Sequence, residues 1–424
     1  MTTNNDPPPA PYSGLWHPFL SWTDLFMSIF LWFLLPLPNL VRLPATKDNE
    51  ERRQTNRKLQ ENLMGGFKME NKTIVAAWEK GLGQDIVEVT LSIPRQADIL
   101  KQWNLDDQTS FVQPEGDIIV RLRMPISVCG PDGARASVEK DEIGCRTLDS
   151  VNDLNALDAP WIVAFHGGGL TSGSCDEATN LNLTQLVSVT AKQPVVLASV
   201  AYSLAPEHVF PTAPAEALTV LGYLFQKMPQ RSFHLMGPSA GAYLSTVVGL
   251  EVFRKYPRKL ASLTLMAPMV DPASDTESFY MNRNVYFVSP EWVRWCWRCY
   301  LELPSNENDK NVDIFSLDTL DARLAHGSNR RAWSQSRWRH SKLCRLVDPT
   351  LEMPRNLQDL PPTVLSTNTA DPLHDEGVKL LSSLRQGGAR VQHLDHSGSH
   401  CLGTLLDKEK RQEFVQAMMQ NVFG

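Results

Sequence analysis

The segment Gly237-Pro238-Ser239-Ala240-Gly241 lies between a strand-like stretch at 232–236 and a helical pattern at 240–255. It fits the pattern Gly-x-Ser-x-Gly, in which glycines let a strand turn sharply into a helix and leave the serine hydroxyl exposed at the turn. The first amides of that helix point at the serine, where they can stabilise developing negative charge. The pattern is weak by itself, but its place between a strand and a helix predicts that Ser239 is a nucleophile.

Around this segment, short apolar stretches rich in β-branched residues alternate with helical patterns. Such alternation predicts an α/β fold, with a mostly parallel sheet covered by helices on both faces. The polar stretch 128–158 is predicted to be a loop. The predicted strands are Ile86–Ile93, Ile118–Met124, Trp161–Phe165, Val195–Val200, Phe233–Met236, Leu263–Met266, Thr363–Ser366 and Val391–Leu394, and helices are predicted near 55–80, 177–191, 213–228, 240–255, 374–385 and 407–421.

Three consecutive glycines, Gly167, Gly168 and Gly169, follow His166 at the end of a predicted strand. Backbone amides without neighbouring side chains can approach a ligand closely. We expect them, together with the amide of Ala240, to bind the oxyanion of a tetrahedral intermediate, where one such donor contributes ~3 kcal/mol. A flexible glycine turn is the alternative, whereas a phosphate-binding loop is disfavoured because no Lys-Ser/Thr follows.

A serine hydroxyl needs a general base near neutral pH, and two histidines lie at the end of the last predicted strand. His400 lies between that strand and the last helix, whereas His396 is expected to belong to the strand or its edge. Asp371, in the loop after the preceding strand, is the predicted carboxylate that orients the imidazole. Asp375 and Glu376 lie where a helix has begun and are the weaker candidates, because acidic residues are common at helix N-termini.

Five stretches resemble motifs of the hormone-sensitive-lipase group of α/β-hydrolases, and they come in that family's order. The resemblance covers roughly residues 160–270 and 360–424. It departs at Pro238, where the family often has an acidic residue, and at Cys401-Leu402, where Gly-Phe is common; both changes alter the shape of the pocket. The matching stretches are His166–Gly169, Tyr202–His208, Gly237–Gly241, Asp371–Gly377 and His400.

The resemblance implies an α/β-hydrolase fold, hydrolysis of carboxylic esters and a triad of Ser239, Asp371 and His400. It also implies oxyanion amides from Gly168, Gly169 and Ala240, with Gly167 as an alternative donor. Tyr202 and Glu207 are expected to be structural residues that brace the sheet beside the active site.

Residues 273–350 interrupt the alternation, because they contain five tryptophans and many arginines but no strong strand pattern. An insertion after the sixth predicted strand would lie above the strand ends, where ligands bind in open α/β sheets. We therefore predict an inserted helical lid within an α/β-hydrolase domain spanning 45–424. The alternative is a second small domain without a catalytic role.

The N-terminal region is predicted to carry a disordered tail, 1–24, and a hydrophobic membrane-anchor segment, 25–44. The segment is marginal for a spanning helix, which needs about 20 apolar residues. Trp16, Trp22 and Trp32 are of the kind found at membrane interfaces and favour an anchor or in-plane hairpin over a buried cap helix. A hydrophobic segment before such a domain is similar to membrane-bound arylacetamide deacetylases and fungal steryl acetyl hydrolases.

The sequence gives conflicting indications of the side of the membrane. Basic residues between Arg42 and Lys58 favour a cytosolic main domain. Two glycosylation patterns, Asn71-Lys-Thr73 and Asn182-Leu-Thr184, fit a lumenal domain instead. The expected location is a membrane surface, of the endoplasmic reticulum or of lipid droplets, with the side left open.

Composition excludes several classes of partner. The 41 Lys+Arg against 47 Asp+Glu give a net charge of −6, and phosphates need a basic face, so no nucleic-acid partner is expected. Seven cysteines are too few and scattered for a disulfide framework. Cys296 and Cys299 form one Cys-x-x-Cys without further ligands, so no metal or other cofactor is expected.

These patterns predict a serine carboxylesterase or deacetylase acting on a hydrophobic ester, such as a lipid, sterol or secondary-metabolite ester. Two alternatives use the same fold. A ligand-binding receptor without activity should lack a triad member, and all three candidates are present. An acyltransferase would use the same residues with an acceptor other than water.

Overall fold

The computed structural model describes residues 70–105, 111, 113–283, 288–304 and 328–424. The predicted tail, 1–24, and the predicted anchor, 25–44, lie outside the described residues. Within the described ranges, no helix has both the length and the apolar character needed to cross a membrane.

The described residues have the predicted α/β architecture, built on one sheet of nine strands. The sheet order is β3-β1-β2-β5-β4-β6-β7-β8-β9. Strands β4 to β9 are all parallel to one another, whereas β2 is antiparallel to both of its neighbours. The strands are β1 Ile86–Ile93, β2 Ile118–Pro125, β3 Arg146–Thr147, β4 Trp161–Phe165, β5 Val196–Ala201, β6 Phe233–Pro238, β7 Leu260–Met266, β8 Thr363–Asn368 and β9 Val391–His396.

Helices cover both faces of the sheet, so the central strands are buried on both sides. In β4, Trp161, Val163 and Phe165 belong to one core, while Ile162 and Ala164 belong to the other. Helices α1, α2 and α7 pack on the second core, and α3 to α6 on the first. The longer helices are α1 (70–82), α2 Ala178–Ala191, α3 Thr212–Lys227, α4 Ala240–Lys255, α5 Pro290–Leu301, α6 His374–Gln386 and α7 Lys408–Phe423, and short helices lie at Ile99–Gln102 and Leu402–Leu405.

One strand lies inside the stretch that the sequence predicted to be a polar loop. Strand β3 contains only Arg146–Thr147 and pairs with Val87 and Glu88 of β1. Two residues are too few to leave a hydrophobic pattern, so this strand was missed. Because β3 precedes β4 in the chain, the insertion that follows the sixth predicted strand follows β7 in the structure.

The described parts of the insertion, 273–350, contain helices and turns but no strand. Apart from α5, these are Glu277–Met281 and Arg330–Ser334, with short 3₁₀ turns at Arg337–His340 and Lys342–Leu346. Aromatic contacts pack them on α4 and the segment before α3: Tyr243 meets Trp297 at 5.4 Å between ring centroids, and Phe210 meets Trp338 at 4.9 Å.

Neither of the two glycosylation patterns lies in an exposed loop. Asn71 is buried and its amide donates to the carbonyl oxygen of Asp176 at 2.8 Å. Asn182 lies inside α2, and the Thr184 hydroxyl of its pattern is buried and donates to the Asn180 carbonyl. Glycosylation acceptors lie in surface loops, so the argument for a lumenal domain loses its support.

Candidate active site

Ser239 stands at a sharp turn between β6, which ends at Pro238, and α4, which begins at Ala240. Its φ of 55° and ψ of −119° lie in a sparsely populated region that costs about 1–3 kcal/mol and persists only where the surroundings enforce it. The turn is enforced by close packing, since a Cβ on Gly241 would lie 2.1 Å from the Phe165 carbonyl oxygen. The Ser239 amide donates to the Met266 carbonyl oxygen at 2.8 Å. This is the predicted strand-to-helix turn.

The glycine loop after β4 lies beside this turn. A Cβ on Gly167 would lie 3.7 Å from the Cβ of Ser239. Gly168 and Gly169 have φ of +102° and +61°, and a Cβ on Gly168 would overlap the Ser172 carbonyl oxygen at 2.2 Å. The Gly168 carbonyl accepts from the Ser172 amide at 3.0 Å, which fixes the loop.

The four predicted oxyanion donors differ in what their amides face. The amide of Gly167 hydrogen-bonds the Glu177 carboxylate and lowers its pKa, although burial dominates and raises that pKa to about 7. Ala240 is the first residue of α4, so its amide has no partner inside the helix. The Gly167 amide is therefore already engaged, and Gly168, Gly169 and Ala240 remain the candidate donors.

His166 and Tyr202 support the glycine loop that follows β4. Their rings stack 4.1 Å apart, and the Tyr202 hydroxyl donates to the His166 carbonyl oxygen at 2.8 Å. Burial lowers the pKa of His166 to about 4, so its imidazole is neutral at physiological pH. These contacts agree with the structural role that was expected for Tyr202.

The carboxylate that braces this region is Glu216, not the predicted Glu207. Glu207 is exposed, whereas Glu216 is buried in α3 and accepts from the amide and the hydroxyl of Ser203, both at 2.7 Å. Arg95 completes the group with a bond of 2.9 Å to the same carboxylate. The sequence signal that could have indicated this role is a single acidic residue within the apolar pattern of α3.

Asp371 and His400 form a buried hydrogen-bonded pair. His400 Nδ1 lies 2.6 Å from Asp371 Oδ2, and Asp371 Oδ1 accepts from the Leu373 amide at 2.9 Å. Burial alone would lower the pKa of His400, but the adjacent Asp371 carboxylate raises it well above its usual range. This arrangement stabilises a positively charged imidazolium.

The competing histidine, His396, is held elsewhere. It is the last residue of β9, and its Nδ1 lies 2.9 Å from the Thr404 hydroxyl while its Nε2 lies 3.3 Å from Glu413. His400, and not His396, is therefore the histidine beside Asp371.

The three candidate catalytic residues share one edge of the sheet. Ser239, Asp371 and His400 follow β6, β8 and β9 respectively. These strands are parallel, with only β7 between β6 and β8. The carboxyl ends of parallel strands meet at the same edge, which is where open α/β sheets bind ligands.

The two other acidic candidates anchor the insertion. Asp375 accepts from the Ser278 amide at 2.8 Å, and the buried Glu376 accepts from the Val270 amide at 2.8 Å. Both bonds connect the start of α6 with the segment that leaves β7. These residues therefore hold the entry to the insertion in place.

Among the described residues, one group has the spacing of metal ligands: Glu88, Asp141 and Cys145, with ligand atoms within 4.8 Å of one another. The two carboxylate oxygens of Glu88 are occupied by the guanidinium groups of Arg121 and Arg123. Asp141 accepts from the amide of Cys145 at 2.9 Å. Glu88 is therefore engaged in ion pairs, and the Asp141 carboxylate in a backbone hydrogen bond.

Comparisons with known proteins agree with this fold. A family model described as the alpha/beta hydrolase fold matches residues 162–401. Ethyl acetate hydrolase of Pseudomonas putida is 26% identical over 250 residues, which are 57% of this chain and 64% of that protein. Esterase LipI of Mycobacterium tuberculosis is 23% identical over 316 residues, 73% of this chain and 81% of that one.

A plant receptor is also related: gibberellin receptor GID1B of Arabidopsis thaliana is 27% identical over 164 residues, 37% of this chain and 45% of the receptor. Among solved structures, a bacterial heroin esterase superposes with a TM-score of 0.59 at 18% identity, covering 96% of this chain and 99% of that one. At this identity the superposition establishes the fold alone.

Proposed function

The chain belongs to the α/β-hydrolase-fold family, and from that premise we propose that it is a serine carboxylesterase or deacetylase that hydrolyses a hydrophobic carboxylic ester through an acyl-enzyme. One observation carries the proposal: a buried Asp371–His400 pair at the sheet edge where Ser239 is held on a strained turn. Relatives named as esterases and an ethyl acetate hydrolase support the reaction class.

The proposed reaction begins with attack by Ser239. His400 takes the hydroxyl proton as the Oγ atom attacks the carbonyl carbon, and Asp371 stabilises the imidazolium that forms. The amides of Gly168, Gly169 and Ala240 then bind the oxyanion, each contributing ~3 kcal/mol of transition-state stabilisation.

The tetrahedral intermediate collapses when its bond to the leaving oxygen breaks. His400 donates its proton to that oxygen, and the alcohol departs from an acyl group on Ser239. Water then attacks the acyl carbon, again losing a proton to His400, and the second intermediate releases the acid and restores the serine hydroxyl.

A ligand receptor on the same fold is the second candidate, and the relationship to GID1B favours it. A receptor needs no working nucleophile, so it would not react with a fluorophosphonate probe. An acyltransferase would react with the probe and also form a transfer product when candidate alcohols are added. These two measurements separate the three activities.

Membrane attachment through residues 25–44 is part of the proposal and would bring the enzyme to hydrophobic esters. The similarity to arylacetamide deacetylases and steryl acetyl hydrolases rests on this segment. Flotation with liposomes tests it: the full chain should float, and a chain without residues 25–44 should remain in the soluble fraction. Equal flotation of both would remove the assignment.

Replacing Ser239 by Ala tests the reaction itself. We expect the turnover of p-nitrophenyl acetate to fall by at least about 10⁴-fold, because the nucleophile is lost and only oxyanion binding remains. Fluorophosphonate labelling should disappear, with an unchanged far-UV circular dichroism spectrum. Undiminished turnover by a folded Ser239→Ala protein would refute the proposed mechanism.

A further inference from the structure

Asn368, the last residue of β8, lies between the two segments that carry Asp371 and His400. It is wholly buried, and it is opposite His396 of β9 at the end of the sheet. Asp371 follows Asn368 by three residues, and His400 follows His396 by four. A buried polar side chain needs hydrogen-bond partners, and those of Asn368 lie in the segment that carries His400.

The side-chain oxygen of Asn368 holds the peptide group that follows His400. Its Oδ1 atom accepts from the amide of Cys401 at 3.1 Å. Because that amide and the His400 carbonyl belong to one planar group, the bond fixes the backbone on the C-terminal side of the histidine. Cys401 has a φ of 55° and a ψ of −37°, a sparsely populated conformation that persists only where the surroundings enforce it. The Asn368 side chain supplies part of that constraint.

The backbone of Asn368 holds the peptide group that precedes Asp371. Its carbonyl oxygen accepts from the Asp371 amide at 3.1 Å. One residue therefore bonds the backbone immediately before the aspartate and immediately after the histidine. The side chains of these two residues meet at 2.6 Å, so a shift in either backbone contact would change how they meet.

A second hydrogen bond sets the orientation of the Asn368 amide. Since the Cys401 amide can only donate, Oδ1 must face it, and Nδ2 then donates to the Thr404 hydroxyl at 3.2 Å. Thr404 is buried and belongs to the short helix Leu402–Leu405. This helix approaches closely, because a Cβ on Gly403 would lie 2.7 Å from Nδ2 of Asn368. The side chain of Asn368 is therefore held through both of its polar atoms.

We propose that Asn368 is a positioning residue, which holds the His400 imidazole in the place that proton transfer between Ser239 and Asp371 requires. It acts through backbone hydrogen bonds on either side of the buried pair and not through contact with the substrate. The inference rests on the proposed esterase function and adds to it a residue that lies outside the matching motifs.

Replacement of Asn368 by Ala tests this role with p-nitrophenyl acetate as the substrate. We expect kcat per folded molecule to fall about 100-fold, because a misplacement of about 1 Å can have an effect of that size. KM should change by less than about 2-fold, since no contact with the substrate is removed. The rate of fluorophosphonate labelling, which also requires Ser239 to be activated by His400, should fall in parallel with kcat.

Asn71→Ala is the matched control, because it also removes a buried asparagine whose amide bonds a distant segment. The midpoint of urea unfolding should fall in both variants, whereas kcat of Asn71→Ala should stay within about 2-fold of the unchanged protein. Equal changes of kcat in the two variants would overturn the inference, and so would a loss in Asn368→Ala that appears in KM alone.

Substitutions at Thr404 keep the test decisive if Asn368→Ala does not fold. Thr404→Ser keeps the hydroxyl and should retain kcat. Thr404→Val removes the hydroxyl, and kcat should fall about 5-fold, which is the typical effect of one hydrogen bond. Equal kcat values in the two Thr404 variants would overturn the inference while Ser239-dependent turnover upheld the esterase function. Absence of any Ser239-dependent turnover in the unchanged protein would overturn both.

Discussion

Two buried groups of charges lie in the same sheet, one around Arg123 on β2 and the other at Asp371 and His400. Arg123 is 0% exposed and bonds Glu88 at 2.7 Å and Asp176 at 2.5 Å. Asp371 and His400 are as deeply buried, at 0% and 4%. Burial and pairing are therefore similar in the two places.

The difference lies in the positive partner. A guanidinium stays protonated at any accessible pH, and its fork of donors is suited to two carboxylates at once. An imidazole exchanges its proton near neutral pH, so the carboxylate beside it can favour the charged form during a reaction. The first group is thus suited to fixing the sheet, whereas the second is suited to proton transfer. Each of the following changes tests that contrast.

Asp371→Asn should have the largest effect. The change keeps the side-chain shape but removes the charge that stabilises the imidazolium, so kcat/KM for p-nitrophenyl acetate should fall about 10⁴-fold. The midpoint of urea unfolding should change far less than activity does. A loss below 10-fold would mean that the buried pair is structural, like the Arg123 group.

Arg123→Met should act mainly on stability. It leaves Glu88 and Asp176 without their buried partner, which typically costs about 3–5 kcal/mol of unfolding free energy. Urea denaturation measures this loss, and turnover per folded molecule should stay within a few-fold. Arg121→Met is the control, because Arg121 contacts the same acids with its side chain 34% exposed and should cost less than about 1 kcal/mol. Equal losses of unfolding free energy in the two variants would contradict the view that the buried Arg123 is the main partner of these acids.

The turn at Ser239 and the strands around it could be predicted because their determinants are local. Glycines at a turn, apolar strands and short motifs each consist of residues that are adjacent in the sequence. Strand β4 accordingly begins and ends where the sequence predicts. Helix α4 likewise spans its predicted bounds. The strand-to-helix turn brings the backbone of Gly241 so close to the Phe165 carbonyl oxygen that a side chain would not fit there.

Contacts between distant segments could not be predicted in the same way. Glu216 braces Ser203 and Arg95 through the fold, and its place in the apolar run of α3 does not by itself reveal these distant partners. The packing of Trp292 on Gly169 joins residues more than a hundred positions apart. Strand β3 depends on pairing with β1 and has no pattern of its own.

Glu177→Gln extends the contrast to a buried carboxyl that has no cation beside it. Its Oε2 atom is buried without a hydrogen-bond partner in the described structure, and burial raises its pKa from 4.5 to about 7. An acid with a raised folded pKa lowers stability as pH rises from 4.5 to 7. The unfolding free energy of the variant should therefore exceed that of the unchanged protein by about 1–2 kcal/mol at pH 8, and the two should be equal at pH 4.5. Chemical denaturation at the two pH values measures this, and an equal difference at both would exclude the ionisation.

His374→Gln should have the smallest effect and tests an imidazole at partial exposure. His374 is 2.8 Å from Asp375 and 3.3 Å from Asp395, with its side chain 23% exposed. Burial opposes its charge, but these carboxylates raise its pKa to about 10. The ion pairs should therefore stabilise the fold fully below pH 6.5 and lose that contribution as pH rises toward 10. Because solvent screens these charges, the unfolding free energies of the variant and the unchanged protein should differ by only about 1 kcal/mol at pH 6. A difference in unfolding free energy that persists unchanged at pH 10.5 would show that His374 contributes packing rather than charge.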